Sequence, residues 1–210
     1  MPSVEALLGF MGAALIVLLI PGLGVMYIVT RSISQGRRAG LLSVLGLTTG
    51  ALVHVVAATI GLSAVLLASA EAFGIVKALG AGYLVFLGIR TLLARQKPVS
   101  VAAPAPLSPW RLYTGGMLVS AFNPKIALFF LAFLPQFVEP GRGPIPQQVL
   151  ILGLIYIAMA LVTDSAYALL AGSIGSRFSN QLLRGSMLRY VSGSVYLGLG
   201  LYTALISRQH

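Results

Sequence analysis

The chain has 210 residues, 58% of them hydrophobic and only 9% charged, and its mean hydropathy is +0.95. Soluble domains carry about 25% charged residues, so a soluble globular protein is excluded and an integral membrane protein is expected. The net charge of +10 comes from fourteen Lys and Arg against four acids; the bases fall in short gaps between apolar stretches, which points to membrane topology and away from nucleic acid.

A helical span needs about 20 apolar residues, and six stretches supply them. The first runs from about Val4 to Val29 and is interrupted by Pro21-Gly22-Leu23-Gly24. The N-terminus, Met1-Pro2-Ser3-Val4-Glu5, lacks the basic start of a signal peptide, so this run is expected to stay as a membrane span. The second span covers about Leu41 to Ala68 and the third about Phe73 to Leu93. Ala94 to Trp110, with four prolines and no apolar period, reads as an extended linker. The fourth span, about Leu112 to Leu134, is interrupted at Asn123-Pro124-Lys125. A Pro- and Gly-rich loop, Pro135 to Pro146, leads to the fifth span, about Gln147 to Ile174, and the sixth covers about Leu188 to Ile206.

Ten bases lie in the first, third and fifth connections and three on the other side, with Lys125 inside a span. The bias of Lys and Arg towards the cytoplasm then places both termini outside and the linker in the cytoplasm. The two halves echo each other: Lys77, Gly88 and Thr91 recur at one offset as Arg189, Gly200 and Thr203. Pro21 interrupts the first span of one half and Pro124 the first span of the other. Three spans per half make the second copy enter the membrane inverted. The expected fold is therefore all-α: six transmembrane helices as a 3+3 inverted repeat with helices 1 and 4 interrupted. Residues 1–93 form the first repeat, 94–111 the cytoplasmic linker and 112–210 the second. Paired interruptions of this kind point to a transporter site near the midplane.

Asn caps helices well and Pro is favoured at their first position, so Asn123 and Pro124 are expected to start a half-helix inside the membrane. The dipole of that start, beside the Lys125 ammonium, suits a carboxylate. The alternative is a lysine that reaches an interface or pairs with an acid. Asp164 is the one acid in the interior of a span. It suits a substrate ammonium or a coupled proton, or it is the counter-ion of Lys125. Pro21 and Gly22 would open backbone groups towards the cavity, or make a simple kink. His54 is a second proton-coupling candidate, or a ring satisfied by a neighbouring carbonyl or hydroxyl. With no cysteine, two histidines and four acids, no metal site, cofactor site or catalytic constellation is expected.

Several runs carry a resemblance: Pro21-Gly22, Thr30-Arg31-Ser32, Gln35-Gly36-Arg37-Arg38-Ala39-Gly40, Gly80-Ala81-Gly82-Tyr83-Leu84, Gly88-Ile89-Arg90, Asn123-Pro124-Lys125 and Leu134-Pro135-Gln136-Phe137. In this order they resemble the LysE/RhtB family of amino-acid exporters. The resemblance implies a bacterial inner-membrane exporter driven by an ion or proton gradient, with Pro21, Gly22, Asn123, Pro124 and Lys125 at the family's signature positions. Its partners would be a small amino acid, membrane lipid, coupled protons and, as an open option, further copies of the chain. Leu23-Gly24 and Ala51 stand where many members carry more polar residues, which hints at an apolar rather than a basic substrate. The competing readings are an ion exporter on the same fold and a non-transporting assembly protein.

Overall fold

The computed structural model describes residues 1–69 and 105–174, together with isolated helical positions between 71 and 93. The third and sixth expected spans, most of the linker and the repeat signal at 77–91 and 189–203 lie outside the described residues. Among the described residues the chain is all-helical, with six α-helices and no strand. They are α1 (Val4–Leu19), α2 (Leu23–Gln35), α3 (Arg37–Ala68), α4 (Pro109–Ala121), α5 (Pro124–Leu128) and α6 (Ile145–Ile174). Two of them, α3 and α6, are each long and apolar enough to cross a membrane; there are up to four crossings if each bent pair is one span. α1 and α2 meet at 51°, and α4 meets the helical run Pro124–Phe137 at 41°.

Each boundary has a local cause. Ser3 caps α1 by accepting the Ala6 N–H at 3.1 Å, and Pro21, which has no N–H to donate, ends it. α2 runs past the expected Val29 to Gln35, so Arg31 is helical rather than in a loop. The whole connection to α3 is Gly36, at φ 84°, a left-handed turn that glycine makes at little cost. Ser108 caps α4 one residue before Pro109, so Trp110 belongs to the helix and not to the linker. α5 passes into a π turn, Phe129–Phe133, and then a 3-10 turn, Leu134–Phe137. The Leu134 N–H reaches back five residues to Phe129. This widening precedes Pro135, whose ring would clash with the fourth carbonyl back in a regular helix.

Close helix crossings rest on small residues. A Cβ on Gly46 would lie 2.0 Å from the Tyr113 carbonyl oxygen, and one on Gly50 would lie 2.2 Å from that of Met117. These contacts set α3 against α4. Gly153, facing Val55, does the same for α6 against α3. The main core is aromatic and centres on the irregular segment: Phe129, Phe130, Phe133 and Phe137 pack with Phe10 of α1 and Tyr156 of α6. At the Pro135–Pro146 end, the Gln148 side chain donates to the Glu139 carbonyl and accepts the Glu139 N–H, at 2.8 and 3.0 Å. The Glu139 carboxylate accepts the Ser3 N–H at 2.7 Å. At the Gly36 end, Gln35 makes the same paired contact with the backbone of Leu107.

Candidate functional site

The two breaks come together. Where α1 stops, the Leu19 and Ile20 carbonyls lose the N–H groups that a continuous helix would offer. Both find donors from the other half of the described chain: Tyr167 donates its hydroxyl to Leu19 at 3.0 Å, and Lys125 donates its Nζ to Ile20 at 2.6 Å. The Lys125 stem passes Gly22, where a Cβ would lie 3.4 Å from Cδ. That is an ordinary van der Waals distance, so the lysine stem runs in contact range of position 22.

The second break is capped as the sequence leads one to expect. Asn123 Oδ1 accepts the Lys125 N–H at 3.0 Å, with Pro124 at the first helical position. The Asn123 carbonyl accepts the N–H groups of Ile126 and Ala127. The backbone donors of this start are thus engaged internally. The group left to meet an anion is the Lys125 ammonium, which spends one of its three protons on Ile20.

A cleft open at its mouth lies beside these groups. Asn123, Lys125, Gly22 and Asp164 line it together, with the hydroxyl-bearing Thr48 and Ser120 and an apolar wall that includes Leu47, Ala51, Ile126 and Tyr156. Pro21 and Pro124 shape the breaks without lining the cleft. His54 stands outside it too: its Nε2 is 3.0 Å from the Ser120 carbonyl and its ring lies on Phe130.

Lys125 and Asp164 share the cleft without a direct ion pair, the pair Glu139–Arg142 being the one found among the described residues. Asp164 is half-buried and makes no hydrogen bond among the described residues. The flanking Thr163 hydroxyl bonds back to the carbonyls of Met159 and Ala160. An ammonium and a carboxylate therefore face one apolar space with bonds to spare, an arrangement that suits a zwitterion. The Ser120 hydroxyl, buried in the same wall, has no partner among the described residues.

Sequence reasoning missed Tyr167 as a cap of the first break and Ser120 and Thr48 as lining. Tyrosines and small hydroxyls in apolar helices carry no local signal that separates these uses. Among the described residues no group of three His, Cys, Asp or Glu could hold a metal ion.

Comparison with known proteins adds a second line of observation. The family described as LysE type translocator matches residues 15–207. An uncharacterized membrane protein of Vibrio cholerae is 32% identical over 204 residues, covering 96% of this chain and 98% of that one. A homoserine/homoserine lactone efflux protein of Salmonella typhimurium is 36% identical over 156 residues, 74% of this chain and 75% of its own. A leucine efflux protein of the same species is 28% identical over 131 residues, 62% of each chain. No solved structure matches.

Proposed function

The chain belongs to the LysE type translocator family, and we propose that it exports a small zwitterionic amino acid across the bacterial inner membrane by proton-coupled alternating access. One observation carries the reading: the Lys125 ammonium, from the second break, bonds the Ile20 carbonyl at the first, in a cleft that also holds Asp164. Interrupted helices whose broken ends meet around buried charges are how secondary transporters build midplane sites. Charges placed in membrane spans are costly and mark substrate or proton paths. In this reading α1 with α2, and α4 with the run to Phe137, are each one interrupted span of a six-span inverted repeat. Both termini face outside.

Lys125 holds the substrate carboxylate with its two remaining protons, and Asp164 holds the ammonium. Asn123 and Pro124 fix where the Lys125 stem leaves the backbone, and Pro21 and Gly22 free the Ile20 carbonyl. Protonation of Asp164 on the acidic outer side weakens its hold on the ammonium and releases the substrate there. The apolar wall, with Ala51 and Ala160, suits a small or branched aliphatic side chain better than a second charge. The names of two relatives, efflux proteins for homoserine and for leucine, are in keeping with such a cargo.

Counterflow in proteoliposomes tests this. Vesicles loaded with unlabelled leucine, homoserine, threonine or lysine are given a trace of the same labelled compound. Accumulation with a neutral amino acid, and little with lysine, is the expected result. No accumulation with any amino acid, by protein shown to be folded, would overturn the reading.

A further inference from the structure

We propose that His54 is a positioning residue that splints the second break, and that it is not the group carrying the coupled proton. The inference rests on the export reading above. His54 sits in α3, outside the cleft lining, yet it touches the interrupted span on both sides of its interruption. Before the break, its Nε2 lies 3.0 Å from the Ser120 carbonyl, which also accepts the Asn123 N–H at 3.0 Å. After the break, its ring lies on Phe130, with centroids 6.4 Å apart and planes at 24°.

A carbonyl oxygen can only accept, so the ring must donate, and its neutral form is the Nε2–H tautomer. In a regular helix the Ser120 carbonyl would accept the N–H of residue 124, which is proline and has none; the ring gives that carbonyl a second partner beside the Asn123 N–H. The first break is served in the same way from the other half, where Lys125 and Tyr167 cap Ile20 and Leu19. At each break, carbonyls that end the leading helix are thus met by a side chain distant in the chain. In the second break the residue held is the turn at Asn123, which aims Lys125.

The splint uses a proton that both the neutral and the charged ring possess, so gaining a proton at Nδ1 leaves the contact intact. A group built to couple transport would instead change its bonding when it titrates. Gln reaches about as far as the ring Nε2 and donates an N–H without titrating near neutral pH. His54→Gln is therefore the conservative variant, and His54→Leu removes the donor while keeping an apolar side chain.

The test measures efflux from loaded proteoliposomes against substrate concentration and pH for wild type and both variants. Wild type must transport; if it does not, the export reading fails and the inference is not what has failed. Given transport, His54→Gln should keep an apparent KM within about threefold of wild type and an unaltered pH profile. His54→Leu should raise the apparent KM roughly tenfold or more, as expected when a binding group is misplaced by a fraction of an ångström to an ångström. A Gln variant as impaired as Leu, a Gln variant whose pH profile shifts or flattens, or a Leu variant equal to wild type would each overturn the proposal. If the Leu variant does not fold, 15N-histidine spectra decide, because the chain has only two histidines. A neutral Nε2–H signal that is lost in His54→Gln is expected, and the Nδ1–H form in its place would overturn the splint.

Discussion

At the scale of single residues, Asn123-Pro124-Lys125 was legible because a proline and a charge in an apolar run are local departures from what lipid tolerates. What Lys125 touches was not legible. Its partner is the Ile20 carbonyl, and every residue has a carbonyl, so only the fold shows which one is left free. Lys125→Ala removes a charge-assisted bond in the cleft, worth about 1.5–3 kcal/mol, so transport should fall roughly ten- to a hundredfold. Lys125→Arg should rescue poorly, because a planar guanidinium fork does not reproduce the compact ammonium that bonds the single Ile20 carbonyl. Glu139 lies outside the spans and makes a separate prediction. The Ser3 N–H holds its carboxyl below its ordinary 4.5. A depressed value means a stabilising contribution that is present at neutral pH and is lost as pH falls through the folded value, below about 4.5. Thermal unfolding of wild type and Glu139→Gln should differ at pH 7, and the difference should shrink as pH falls below about 4.5; a difference that grows in acid would contradict the assignment.

At the scale of elements, the prolines and glycines fixed the break points, and the apolar runs fixed the cores of the helices. The ends were harder. Gly36 turns the chain in a single residue, so a stretch that reads as a charged connection, Arg31 to Arg38, is nearly all helix. The π turn before Pro135 was hidden because an apolar run has the same composition whether its helix is regular or widened. The crossing of α3 and α4 yields a stability prediction. Gly50→Ala would place a Cβ 2.2 Å from the Met117 carbonyl oxygen, so the helices must part. Overpacking of this kind costs about 1–3 kcal/mol. Gly61→Ala, in the same helix with nothing within 4 Å, should be neutral or slightly stabilising. A thermal-shift comparison in detergent checks both, and equal behaviour of the two variants would mean that the crossing is not as tight as described.

At the scale of the whole molecule, the membrane class was legible from composition alone, and the two break points from their prolines and glycines. The route by which they meet was not, since cross-capping by Lys125, Tyr167 and His54 involves partners roughly 66–148 residues apart. The proposed orientation can be checked directly, because the chain contains no cysteine to interfere. Single cysteines at the exposed positions Ala105 and Gly141 should react with a membrane-impermeant thiol reagent from opposite sides. Gly141→Cys should label in intact cells and Ala105→Cys only after the membrane is opened. The reverse pattern would invert the topology and with it the direction of proton coupling.

The central claim is that one cleft, closed by both breaks, carries an amino acid by its two charges. Efflux of a labelled neutral amino acid from proteoliposomes with an acidic outside tests it most directly, using wild type, Lys125→Ala and Asp164→Asn at equal folded amounts. The account predicts rapid efflux by wild type, near-background efflux by Lys125→Ala, and slow efflux indifferent to external pH by Asp164→Asn. Efflux undiminished in both variants would contradict it.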